Sequence, residues 1–88
     1  MGIDEAEIAR RVAGVFKRVL AVDVEGADAD VRFGGHPAWD SLAHIDLVLA
    51  LEEEFGVPFE SIEIPDLASP GRVREAVARK LAGDRGGA

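Results

Sequence analysis

Three segments of this 88-residue chain space their apolar residues at helical intervals, and each is followed by glycine or proline-rich sequence. In the first, "IDEAEIARRVAGVFKRVLAV", residues three and four apart would line one face of a helix. Those apolar residues are Ile8, Val12, Val15, Phe16, Val19 and Leu20. Asp4, with Glu7 three residues later, matches a capping box. The pattern predicts a first helix from about Asp4 to Val22.

The second and third helical segments have equally clear ends. "SLAHIDLVLALEEEF" predicts a helix over Ser41–Phe55, which Gly56 would end as a C-cap. Ser69 followed by proline is typical of an N-cap with Pro at the first helical position. The apolar stripe Val73, Val77 and Leu81 then predicts a last helix to about Leu81.

The segments between these helices carry turn residues. "DVEGADADVRFGGHPA" predicts a long loop, which Val31 and Phe33 would pin to the core. "VPFESIEIPDLASP" alternates weakly, and we favour a short helix near Phe59–Ile64 over a strand. We therefore predict an all-α fold, a four-helix bundle of three longer helices and one short helix, with the long loop between helices one and two. One domain would span residues 1–82, followed by a disordered tail at 83–88.

Composition narrows the functions that are open to the chain. It has no cysteine, threonine, tyrosine, asparagine or glutamine, and only three serines: Ser41, Ser61 and Ser69. Disulfides and thiolate metal sites are therefore excluded. A net charge of −7 argues against nucleic acid as a partner. No apolar run approaches the roughly 20 residues that span a bilayer, and the N-terminus lacks a signal-peptide pattern. We expect a cytoplasmic protein with no membrane partner.

Basic residues are missing from the middle of the chain. All ten Lys and Arg residues lie at or before Arg32 or at or after Arg72, whereas eight acids lie between Phe33 and Gly71. Such a region is either a solvated acidic surface or a docking surface for basic partners. The length of the gap favours docking.

The second predicted helix has two apolar stripes, although one is enough to pack into a bundle. Leu47, Val48, Leu51 and Phe55 lie on one side, and Leu42, Ile45 and Leu49 lie on another, flanked by Asp46, Glu52 and Glu53. The second stripe is either an apolar binding surface with an acidic rim or a sign that neighbours bury the helix on both sides. The helical wheel alone leaves both interpretations open.

Ser41 begins this helix, where unpaired N–H groups favour a phosphate. The commoner use of such a position is capping, by Ser41 or by Asp40. A hydrolase triad with His44 and Asp46 is excluded, because residues two apart on a helix point nearly opposite ways. We expect no catalytic residue and no metal site, with His44 at the surface and paired with Asp40. Trp39 should pack over the start of the helix.

The stretch "DSL" followed by "IDLVLALEEEFGV" resembles the acyl carrier proteins of the phosphopantetheine-dependent family. The matching residues are Asp40-Ser41-Leu42, then Leu47, Leu51 and the run Glu52–Phe55, and the resemblance covers almost the whole chain. It implies that Ser41 carries 4'-phosphopantetheine, installed from coenzyme A by a phosphopantetheinyl transferase that reads Asp40 and Leu42. The thiol of that group would hold acyl groups as thioesters.

The resemblance also implies a set of partners and the surface that they use. An acyl-loading ligase or acyltransferase, and a ketosynthase or other acyl-processing enzymes, would dock on Leu42, Ile45, Asp46, Leu49, Glu52 and Glu53. The protein would be a monomeric carrier without catalysis of its own.

Two residues depart from the common fatty-acid pattern, namely Trp39 before Asp-Ser-Leu and His44 after it. "WDSL" with a following histidine is similar to freestanding carriers of specialised pathways, and we expect a polyketide-type pathway. The alternatives are a peptidyl or aminoacyl carrier of a nonribosomal-peptide pathway and an unmodified helical adaptor.

Overall fold

The computed structural model describes residues 4–24 and 31–83. Its elements are α1 (Glu5–Leu20), α2 (Ser41–Phe55), a single 3₁₀ turn (Ile64–Asp66) and α3 (Pro70–Gly83). These two ranges contain no strand, so the predicted all-α class is confirmed. None of the helices in them has the length and hydropathy that crossing a membrane requires.

Helix α1 begins as predicted and ends earlier. Asp4 caps it, with Oδ1 accepting a hydrogen bond from the Glu7 backbone N–H at 2.8 Å. The helix ends at Leu20 rather than near Val22, because Ala21 adopts the left-handed conformation (φ 58°) and its N–H donates to the Lys17 carbonyl. A residue in that conformation stops the helix.

Helix α2 has the predicted bounds, and α3 runs slightly further than predicted. Gly56 ends α2 with φ 68°, and its N–H donates to the Glu52 carbonyl. Ser69 Oγ accepts from the Arg72 backbone N–H at 3.2 Å, as expected for the cap of α3. Helix α3 reaches Gly83 instead of Leu81. The disordered tail predicted for residues 83–88 starts at Gly83, which is the last residue of α3, and its residues 84–88 lie outside the described part of the chain.

The short helix predicted for Phe59–Ile64 is not confirmed. Residues 61–63 form a turn, and the only regular structure between α2 and α3 is the 3₁₀ turn that follows it. Pro65 lies in that turn, where its fixed φ is suitable and its missing N–H costs nothing. The residues before it are anchored by side chains instead, since Val57 and Phe59 are both buried.

Helix α1 packs against both α2 and α3 and supplies much of the core. The largest fully buried side chains are Trp39, Phe16, Leu47, Leu51, Leu67, Val12, Val15, Val73 and Val77. Residues 25–30 of the predicted long loop lie outside the described part of the chain, but the residues that follow them reach the same core, because Val31 is buried and Phe33 packs against it. This part of the chain therefore holds the start of α2 in a fixed place.

Candidate functional site at the start of helix α2

Ser41 is the first residue of α2 and is exposed. The cap of the helix is its neighbour, because Asp40 Oδ1 accepts from the Ala43 backbone N–H at 2.9 Å. Ser41 is therefore not needed as a cap, and its hydroxyl has no hydrogen bond to any of the residues that the structure describes. Of the two capping interpretations, the one that uses Asp40 is confirmed.

The electrostatic setting of Ser41 is that of a helix N-terminus. The first backbone N–H groups of a helix have no partner within it and give this end a partial positive charge. The Asp40 carboxylate, as the cap, takes up the Ala43 N–H, and the first turn of α2 itself contains no acidic residue. A negatively charged group attached to Ser41 would be stabilised there.

Trp39 and His44 form a buried hydrogen-bonded pair beside Ser41. Trp39 is fully buried, and its Nε1–H donates to His44 Nδ1 at 2.9 Å. An indole nitrogen can only donate, so Nδ1 must accept and Nε2 carries the proton of a neutral ring. That Nε2–H donates to the carbonyl oxygen of Ile64 at 2.9 Å.

The prediction that His44 lies at the surface and pairs with Asp40 is wrong. His44 is only 4% exposed, and the Phe33 ring stacks on its imidazole with 4.3 Å between centroids. The helical wheel contained the missed signal, because His44 falls on the same side of α2 as Leu47 and Leu51. The placement predicted for Trp39, over the start of the helix, is confirmed.

Three apolar residues of α2 form an exposed stripe. Leu42 is 72%, Ile45 is 56% and Leu49 is 55% exposed. The interpretation in which neighbours bury α2 on both sides is therefore wrong for the described residues. Asp46 and Glu53 are exposed on the same side of the helix, so the exposed stripe has acidic residues beside it.

The other acids of α2 are engaged within the protein. Glu52 Oε2 accepts from the Phe59 backbone N–H at 2.8 Å. Glu54 Oε2 accepts from Arg11 Nε at 2.7 Å, and the backbone carbonyl of Glu54 accepts from Arg11 at 2.7 Å. The sequence placed Glu52 with Glu53 in one docking set, whereas the structure gives Glu52 an additional internal contact.

Within residues 4–24 and 31–83, no group of three or more His, Cys, Asp or Glu side chains is placed to hold a metal ion. The other histidine, His36, accepts from the Ala38 backbone N–H through Nδ1 at 3.1 Å.

The fold and site together define a small helical protein that presents one uncommitted serine at the N-terminus of an acidic helix. No family model matches the chain. Curated relatives do match it. Over 80 residues the chain is 31% identical to an acyl carrier protein of Thermosynechococcus vestitus, covering 91% of this chain and 99% of the relative.

Two further relatives carry the same name. An acyl carrier protein of Cyanidium caldarium is 31% identical over 75 residues, which are 85% of this chain and 84% of the relative. The mitochondrial acyl carrier protein 2 of Arabidopsis thaliana is 38% identical over 64 residues, which are 73% of this chain and 47% of the relative. The chain belongs to the acyl carrier protein family. Such proteins are carriers and not enzymes, so these relatives confirm the expectation that the chain has no catalytic activity of its own.

Proposed function

We propose that this protein carries acyl groups on a 4'-phosphopantetheine group attached to Ser41. The observation that carries the proposal is that Asp40, and not the adjacent Ser41, caps the helix. Asp40 caps α2 through the Ala43 N–H, and this leaves the exposed Ser41 hydroxyl without a structural task. An adaptor that is never modified has no need of that hydroxyl.

The residues at the start of α2 fit such a group. Ser41 Oγ would form the new bond to the β-phosphorus of coenzyme A, the bond between the two phosphates would break, and 3',5'-ADP would leave as the transferase takes the hydroxyl proton. The resulting phosphodiester is negative, and a helix N-terminus stabilises a negative group by about 0.3–1 kcal/mol. When attached, the group supplies the thiol that this cysteine-free chain lacks.

The exposed stripe is the surface that we propose for partner enzymes. It places Leu42, Ile45 and Leu49 beside Asp46 and Glu53, which is an apolar centre with an acidic rim. Acidic residues at the rim would steer basic enzymes toward Ser41. The phosphopantetheinyl transferase, the loading ligase or acyltransferase and the acyl-processing enzymes would share this surface. Asp40 and Leu42 would be read by the transferase.

We also propose which biosynthetic pathway the carrier serves. Trp39 and His44, the two departures from the fatty-acid pattern, bond directly to each other, and we propose a polyketide-type pathway in the cytoplasm on their account. Depletion of the fatty-acid carrier in a bacterial host, with this chain expressed in its place, tests this. The proposal expects no rescue of growth, and full rescue would contradict it in favour of fatty-acid synthesis.

Intact-protein mass spectrometry tests attachment at Ser41. The purified protein is incubated with coenzyme A and a broad-specificity phosphopantetheinyl transferase, beside Ser41→Ala and the matched control Ser61→Ala, which alters another exposed serine. We expect one added phosphopantetheine on the wild type and on Ser61→Ala, and none on Ser41→Ala. No added mass on the wild type, with the transferase active on a control carrier, would favour the unmodified adaptor.

A further inference from the structure

Two side chains of α2 hold the segment that precedes α3. Phe59 N–H donates to Glu52 Oε2 at 2.8 Å, and the Ile64 carbonyl accepts from His44 Nε2 at 2.9 Å. Residues 59–64 therefore run antiparallel alongside α2. His44 and Glu52 are eight positions apart, so the two bonds are about 12 Å apart along the helix. We call this line of contact the seam.

The aromatic interior lies behind the His44 end of the seam. Trp39, two residues before Ser41, contacts the Phe16 ring edge-on at a centroid distance of 5.1 Å. On the other side, the Phe33 ring stacks on His44. This is the part of the core nearest to Ser41 along the chain. An apolar group tethered to Ser41 would reach it by parting the seam at Ile64 or by displacing Trp39.

Either movement would leave polar atoms buried without partners. Every buried side-chain nitrogen and oxygen among the described residues now has a hydrogen-bond partner. Parting the seam removes the acceptor of His44 Nε2–H, and moving Trp39 removes the donor to His44 Nδ1. Unpaired buried polar groups are disfavoured, and a close-packed aromatic cluster has no slack to take up the change.

We propose that the Trp39–His44 pair is a lock that keeps the acyl group out of the protein interior. The carrier then holds its cargo in solvent, and it is suited to short or polar acyl groups, because a long apolar chain would stay exposed to water. His44 acts here as a positioning residue through Trp39 and Ile64. The inference rests on the proposed attachment at Ser41.

The single tryptophan of the chain provides the test. The protein is converted with acetyl-coenzyme A or octanoyl-coenzyme A as donor, and its mass is checked. A ¹H–¹⁵N spectrum then gives one indole signal, from Trp39 Nε1–H. We expect that signal at the same position with the acetyl and the octanoyl group. A shift of the indole signal with octanoyl alone would overturn the lock.

The variant His44→Ala removes both hydrogen bonds and vacates space beside Trp39. We expect octanoyl to shift the indole signal in this variant and to raise its Tm above that of the acetyl form. The variant His44→Gln, whose amide can accept and donate, should keep octanoyl out, as should the control Ser61→Ala, which alters an exposed serine outside the proposed docking surface. An indole signal that octanoyl leaves unchanged in His44→Ala would overturn the role of His44.

The two proposals fail in different ways. If no mass is added to the wild type, attachment at Ser41 fails and the lock fails with it. If mass is added and octanoyl shifts the wild-type indole signal, only the lock fails. If His44→Ala does not fold, His44→Leu replaces it, because leucine keeps more volume but makes neither hydrogen bond. The same ¹H–¹⁵N spectrum is measured, and we expect octanoyl to shift the indole signal in this variant too.

Discussion

The two sides of α2 use similar residues for opposite purposes. His44, Leu47 and Leu51 are buried against the rest of the protein, whereas Leu42 and Leu49 on the other side are more than half exposed. The spacing of apolar residues shows which of them share a face. Whether a neighbouring element covers that face depends on contacts made elsewhere in the chain. Two leucines two positions apart can therefore differ completely in what they do.

The acids of α2 divide in the same way. Glu52 and Glu54 bond to Phe59 and Arg11, which lie outside the helix. Asp46 and Glu53 have no hydrogen bond or ion pair to any described residue. Some acidic residues of α2 thus contribute contacts to the fold, whereas others remain exposed at the surface. Each prediction below pairs an engaged residue with an exposed one of the same type where the chain offers it.

The largest difference is expected between Leu51→Ala and Leu49→Ala. Leu51 is fully buried, and truncating a buried leucine lowers the free energy of unfolding by about 2–5 kcal/mol. The exposed Leu49 should change it by no more than about 0.5 kcal/mol. Urea unfolding of both variants measures this. Equal losses would mean that the exposed stripe is covered in the folded protein.

A smaller loss is expected when the contact between α1 and the end of α2 is removed. Arg11 bonds to both the carboxylate and the carbonyl of Glu54, and its guanidinium lies 4.9 Å from the Phe55 ring centroid. Because hydrogen bonds to charged groups contribute more than neutral ones and this pair is partly exposed, Arg11→Met should cost about 2 kcal/mol. Thermal unfolding measures it.

The matched control is Arg10→Met, which removes an exposed ion pair with Glu7 within the same helix. That change should cost no more than about 0.5 kcal/mol. If both variants lost the same stability, Arg11 would contribute no more than a surface charge.

Glu52 and Glu53 should respond differently to the same change. Glu52→Ala leaves the Phe59 N–H without its acceptor, at a cost of about 1 kcal/mol, whereas Glu53→Ala should leave the free energy of unfolding unchanged within about 0.5 kcal/mol. Urea unfolding compares the two. A loss at Glu53 equal to that at Glu52 would contradict the division.

Glu53→Lys therefore tests docking better than a change at Glu52, because Glu53 makes no hydrogen bond or ion pair to any described residue. Its fold should be intact, and the transferase rate at low salt should fall roughly severalfold, because reversing a rim charge slows association. An unchanged rate at low salt would count against this surface.

The features that could be predicted from the sequence are those that depend on residues close together in the chain. The ends of α2 follow from a cap and a glycine within the helix's own sequence, and periodicity separated its two apolar stripes. The remainder depends on distant partners. The hydrogen bond that Phe59 N–H donates to Glu52 crosses a turn, and the one that Arg11 donates to Glu54 joins residues 43 positions apart. His44 is the instructive error, because its position on the wheel indicated burial while its polarity suggested the surface.

The smallest expected effect is the pH dependence of an engaged acid in the segment alongside α2. Burial raises the pKa of Glu63, but the hydrogen bonds from Lys80 Nζ (2.9 Å) and the Glu60 N–H (3.1 Å), with the positive charges of Lys80 and Arg79, lower it further than burial raises it. Its pKa in the folded protein therefore lies below the ordinary value of 4.5.

The sign of the effect follows from that direction. A carboxylate whose pKa is lower in the folded than in the unfolded state stabilises the fold above the unfolded value, and the contribution is lost as the pH falls through the folded value. The stability difference between the wild type and Lys80→Met should thus be constant near neutral pH and shrink below about pH 4.5. Urea midpoints of both proteins, measured in steps from neutral to acidic pH, check this. A difference that persists or grows on acidification would show that Lys80 contributes through its contact with the Phe59 ring and not through Glu63.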